Sequence, residues 1–135
     1  MGDFSQNGII SNLHDFGTKT TADIEKELVK FSKERKMELI LPSLYSELKG
    51  DALPNIVKQI SETKYLNHII IGLDRASKAE AVKAWKFFKK LNTPFTILWN
   101  DGPRLKKLHE ELKEKDLAPS EMGKGRNVWY VLACV

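Results

Sequence analysis

His68-Ile69-Ile70-Ile71-Gly72-Leu73-Asp74 is the stretch on which the fold turns. Three β-branched residues in succession, too few for a helix and closed by an acid, read as a strand buried on both faces that delivers Asp74 to its carboxyl end. Upstream, Glu38-Leu39-Ile40-Leu41 is a second short apolar run, read as a buried strand stopped by Pro42. Downstream, Phe95-Thr96-Ile97-Leu98-Trp99 follows the breaker Asn92-Thr93-Pro94 and reads as a third strand.

Helical spacing fills the intervals. Ile24, Leu28 and Phe31 recur at i, i+4 and i+7 after Thr20-Thr21, predicting a helix over 21–35 with these residues as its apolar face. Leu53, Ile56, Val57 and Ile60 predict a helix over 52–64, with Asp51 as its cap and Pro54 in its first turn. Ser77 caps a helix whose buried stripe reads Val82, Trp85, Phe88, and Leu105, Leu108 and Leu112 mark another to about residue 115 after the Asn100-Asp101-Gly102-Pro103 turn. The loop 115–120 leads to Gly123-Lys124-Gly125, read as a loop, and then to an apolar segment, 128–135, read as a helix. Strands alternating with helices imply right-handed βαβ units, hence a Rossmann-like three-layer α/β/α arrangement around a mainly parallel sheet.

At 135 residues the chain is one domain's length, with 1–20 expected as an N-terminal extension and 21–135 as a single unit. Hydrophobic residues at 41% and charged residues at 30% fit a packed core rather than a disordered or low-complexity chain. The net charge of +4 is spread over mixed-sign helices. Lys86, Lys89, Lys90, Lys106 and Lys107 read as solvated helix faces, so no nucleic-acid partner is expected. Neither a signal peptide nor a membrane-spanning run appears, and one cysteine, Cys134, read as a buried thiol, builds neither a disulfide nor a zinc site. A cytoplasmic setting is expected. Three strands are few for a free-standing sheet and the chain stops at Val135 inside an apolar element, so a fragment of a longer polypeptide is expected. The open sheet edge leaves room for a homodimer.

Ligands of parallel α/β sheets bind beyond the carboxyl ends of the strands, which singles out 42–47, 74–77, 100–102 and the Gly-Lys-Gly segment. Gly123-Lys124-Gly125 is neither a Walker loop nor a dinucleotide turn. It is either an anion cradle at a helix start or an ordinary turn. Asp74 either accepts hydrogen bonds from a base or ribose or caps the next helix, and Glu47 either meets a sugar hydroxyl or stands exposed. Tyr45 and Trp99 are candidates for base stacking, with core packing the stronger reading for Trp99. His14, His68 and His109 lack metal-ligand spacing, and Ser43, Ser46 and Ser77 lack a nucleophile elbow.

Taken together, Leu41-Pro42-Ser43-Leu44-Tyr45-Ser46-Glu47, Ile71-Gly72-Leu73-Asp74-Arg75-Ala76-Ser77 and Gly123-Lys124-Gly125-Arg126-Asn127-Val128-Trp129 resemble the opening half of a GT-A glycosyltransferase. More narrowly, the chain is similar over 37–135 to the glucosyl-3-phosphoglycerate synthases and their mannosyl relatives. That resemblance implies a retaining transferase moving glucose from UDP-glucose to 3-phosphoglycerate or a similar small phosphorylated acceptor. By match, Pro42, Ser43, Leu44, Glu47, Asp74, Gly123, Lys124 and Gly125 are implied at the donor nucleotide. It also implies Mg²⁺ or Mn²⁺ on an Asp-x-Asp motif, which this chain lacks, so no metal held by this chain and no transfer by it alone are expected. The pattern departs at Tyr45-Ser46-Glu47, where one acid stands for a pair, and at Arg75, where a small residue is usual. From the residues alone, a non-catalytic α/β module that binds a nucleotide or a protein is the alternative.

Overall fold

A computed structural model describes residues 19–119, 121 and 123–134. The expected extension over 1–20, apart from Lys19 and Thr20, and with it His14, lies outside the described residues, as does Val135. Among the described residues the sheet is three-stranded and all parallel, in the order β1 (Glu38–Leu44), β2 (His68–Asp74), β3 (Phe95–Trp99). Among the described residues five α-helices accompany it: α1 (Thr21–Glu34), α2 (Ala52–Ser61), α3 (Lys78–Phe88), α4 (Pro103–Glu114) and α5 (Lys124–Leu132). This is the expected Rossmann-like α/β arrangement, with β2 central and covered on both faces.

Because strand order follows chain order, right-handed crossovers send α2 and α3 to the same face. Ile69, Ile71 and Leu73 of β2 meet Leu53, Val57, Ala84 and Phe88 there, all but sealed from solvent. Leu39 and Leu41 of β1 and Phe95, Ile97 and Trp99 of β3 share that layer by register. The opposite face of β2 is covered by α5, whose buried side is Asn127, Tyr130 and Val131. Gly72 makes this possible: a Cβ there would lie 1.7 Å from Asn127 Oδ1, so only glycine lets the helix approach the strand so closely.

Several expectations are corrected. β1 does not stop at Pro42 but runs to Leu44 and is only half buried, because it is an edge strand, where a missing N–H is tolerated. A 3₁₀ turn, Tyr45–Lys49, follows it. In α1 the inward residues are Leu28, Val29 and Ser32, while Ile24 and Phe31 are half exposed. In α3 the inward line is Ala84 and Phe88, continued by Leu91; Val82 and Trp85 face solvent, and Lys89 Nζ sits 4.5 Å from the Trp85 ring centroid. The small side chain of Ala84 allows close packing against the strand, and that decides which of two overlapping stripes turns inward. α2 ends at Ser61, short of the expected 64, and Asp51 occupies its cap position without a side-chain hydrogen bond. α5 begins at Lys124, so Gly-Lys-Gly is a helix start rather than a loop, and Cys134 is exposed rather than buried. Ser77 caps α3 as expected and, of the two cap candidates Thr20 and Thr21, Thr20 caps α1, each in a reciprocal box with Glu80 or Asp23. Among the described residues, no helix is long and apolar enough to cross a membrane.

Candidate functional site

The carboxyl ends of β1 and β2 and the start of α5 enclose a cleft of about 190 Å³. Of the residues implied at the donor nucleotide, Pro42, Ser43, Leu44 and Glu47 form its β1 side. Asp74 closes its floor, and Gly123 and Lys124 stand across from them on α5. Gly125 does not line it. The cleft also takes in Arg75 and Asn127, which the motif reading did not assign.

Asp74 is 2% exposed and is held from two directions. The Arg75 N–H donates to Oδ1 at 3.0 Å, and Arg126 Nη2 donates to Oδ1 at 3.2 Å, with Oδ2 at 3.5 Å. The Arg126 side chain is itself nearly buried, so this is a desolvated ion pair rather than a surface one. Oδ2 thus retains acceptor capacity for a further donor. Arg75 lies at φ 54°, left-handed backbone that costs a side-chain-bearing residue free energy, and the turn is clasped from outside. The Ala76 N–H donates to Asp101 Oδ2 at 2.9 Å, and Trp99 Nε1–H donates to the Ala76 carbonyl at 2.7 Å.

Two walls of the cleft carry orphaned polar atoms. Among the described residues, Ser43 Oγ and Asn127 Oδ1 are buried with no hydrogen-bond partner, although Asn127 Nδ2 donates to the Gly72 carbonyl at 2.7 Å. Such groups cost about 1–3 kcal/mol unless a partner arrives. Glu47 accepts the Leu44 N–H at 2.8 Å, so its carboxylate shapes the turn as well as facing the cleft. Tyr45 and Trp99 pack into the core instead of offering a stacking face. His68 Nε2 pairs with Thr96 Oγ1 at 3.1 Å, and His109 Nδ1 with the Tyr130 hydroxyl.

A divalent cation asks for several oxygen ligands. Asp74 is committed to Arg126 and Glu47 to its own turn, and no group of three or more His, Cys, Asp or Glu converges among the described residues. The cleft as built by this chain does not fit a metal.

Fold and cleft together define a Rossmann-like α/β arrangement with a polar cleft at its strand ends. No family model matches the chain, and no solved structure matches it significantly. Among curated proteins, it is 42% identical to the glucosyl-3-phosphoglycerate synthase of Persephonella marina over 135 residues, all of this chain and 34% of that protein. It is 32% identical to the glucosyl-3-phosphoglycerate synthase of Methanococcoides burtonii over 121 residues, 89% of this chain and 30% of that protein. The resemblance read from the three motifs therefore extends over the whole chain, beyond the stretch 37–135. The chain spans about a third of the length of the curated relatives it matches.

Proposed function

We propose that this chain is the donor-binding part of a GT-A glucosyltransferase that takes UDP-glucose and passes the sugar, with retention, to 3-phosphoglycerate or a similar small acceptor. The observation that carries this reading is the convergence of Ser43, Glu47, Asp74 and Lys124, from three separated motifs, on one cleft. Oδ2 of Asp74 accepts a base imide N–H or a ribose hydroxyl, and Ser43 Oγ supplies a second polar contact. A cleft of this size admits one portion of a nucleotide sugar, the base and ribose, rather than the whole donor. Lys124 and the free N–H groups of the first turn of α5 favour the diphosphate, and nothing lies within 4 Å of the Cβ positions of Gly123 and Gly125, which leaves room for it. On this reading the ligands of a Mg²⁺ or Mn²⁺ ion would lie outside these residues, and the ion would supply positive charge to the diphosphate.

Titrating the chain with UDP under amide NMR, with ATP as control, tests the proposal. UDP-selective shifts at 42–47, 74–77 and 123–127 are expected. Equal shifts with ATP would leave a general nucleotide-binding module. No shift in a well-dispersed spectrum would remove the uridine pocket from this chain.

A further inference from the structure

Behind Asp74 lies a second and larger cavity, about 420 Å³, between α4 and α5 at the carboxyl end of β3. Asn100, Asp101, Lys106, His109, Arg126 and Tyr130 face it. None of the three motifs assigns it a role. We propose that it is a second ligand site, taking a phosphate group, free or as a small monoester. Nothing in this inference depends on nucleotide binding in the first cleft.

The argument rests on polar atoms without partners among the described residues. Arg126 Nε is buried and unpartnered, since Asp74 engages only Nη2 of that guanidinium. Asn100 is 7% exposed, and neither its Nδ2 nor its Oδ1 has a partner, although its backbone N–H is tied to Leu73. Lys106 has no carboxylate within ion-pair distance among the described residues, and it reaches the cavity from the first turns of α4, whose start at Gly102 has no side-chain cap. A guanidinium, an ammonium and an amide N–H along one cavity match the several oxygens of a phosphate, and the positive end of α4 adds to them. The acids present do not cancel this. Asp101 Oδ2 is turned to the Ala76 N–H, and Glu110 stands exposed, where water and salt screen it.

The two cavities share a wall. Asp74 lines the first and Arg126 the second, so their ion pair is the partition. An anion on Arg126 competes with Asp74 for the guanidinium, and occupancy of one cavity alters the other.

Amide NMR of the chain with inorganic phosphate, at ionic strength held by chloride, tests the site, with glycerol 1-phosphate as a separate arm. Saturable shifts at Asn100, Lys106, His109 and Arg126 are expected. Lys106→Ala, at an exposed position, weakens binding several-fold without altering the thermal midpoint, and Arg126→Lys weakens it further. Binding of inorganic phosphate alone identifies the free ion as the ligand, and stronger binding of glycerol 1-phosphate a monoester. The proposal is overturned if phosphate does no more than chloride, if Lys106→Ala binds as the unaltered chain does, or if the shifts fall at 42–47 and Lys124 instead.

Discussion

Arg126 and Asp74, 52 residues apart in the chain, meet at 3.2 Å with both side chains almost wholly removed from water. This pair fastens the end of β2 to the first turn of α5 and aims the carboxylate into the cleft. A buried pair of this kind is expensive to break from one side, because the remaining charge loses both water and partner.

Arg126→Ala is therefore expected to destabilise the chain by about 3–5 kcal/mol. Pairing it with Asp74→Leu recovers a large part of that loss, since no charge is then stranded. Urea unfolding of both single variants and the double variant gives the coupling directly. Additive effects would show that the two side chains do not interact.

Gly72→Ala places a methyl against Asn127 and Val131, the latter at 3.0 Å, and pushes α5 from the sheet. A loss of about 1–3 kcal/mol is expected. Adding Asn127→Ala relieves the clash with that side chain but leaves the tight Val131 contact and takes the donor from the carbonyl at position 72, so the double variant stays below the unaltered protein in thermal melts.

Stability is expected to fall at both ends of the pH range. Burial raises the Tyr130 phenol above its ordinary value, partly opposed by the charge on Arg126. The folded chain then holds this proton longer than the unfolded one, and stability present below about pH 10 is lost as pH rises from there through the folded value. Tyr130→Phe flattens that limb. At the acid end, the Ser77 backbone and hydroxyl hold Glu80 below its usual value, as Thr20 does for Asp23. Their contribution is present above the ordinary carboxylate range and disappears as pH falls through the lowered values. Ser77→Ala shrinks the acid limb in pH-dependent melts.

Lys124→Ala removes an exposed charge from the cleft and leaves the core untouched. UDP affinity is expected to fall about tenfold, with an unchanged melting temperature. An unchanged affinity would move the diphosphate away from the start of α5.

β2 was legible in full because its composition admits one reading, and Ser77 was legible as a cap because a serine stands just ahead of a helical run, while Thr20 and Thr21 stayed alternatives that only the structure separates. Helix faces were less so. In α3 the sequence carries two overlapping stripes, and side-chain size at Ala84, not hydrophobicity, decides between them. At the cleft, the motif resemblance marked the lining from β1, Asp74 and Lys124 but not Asn127, nor Arg126 that pairs with Asp74 from behind, although both stand inside the third motif. Their roles depend on which strand α5 covers, and local spacing carries no information about that. The signal available was a polar Arg-Asn pair opening an otherwise apolar helix.

The Asn127 amide reaches the Gly72 carbonyl across 55 residues, and that separation sets a clock. At a ribosomal rate of roughly 5–20 residues per second, the covering helix emerges about 3–11 s after the strand it shields. Through that interval Ile70 and Gly72 present a bare face and Asp74 has no counter-ion. Covering of that face therefore waits on the synthesis and docking of α5.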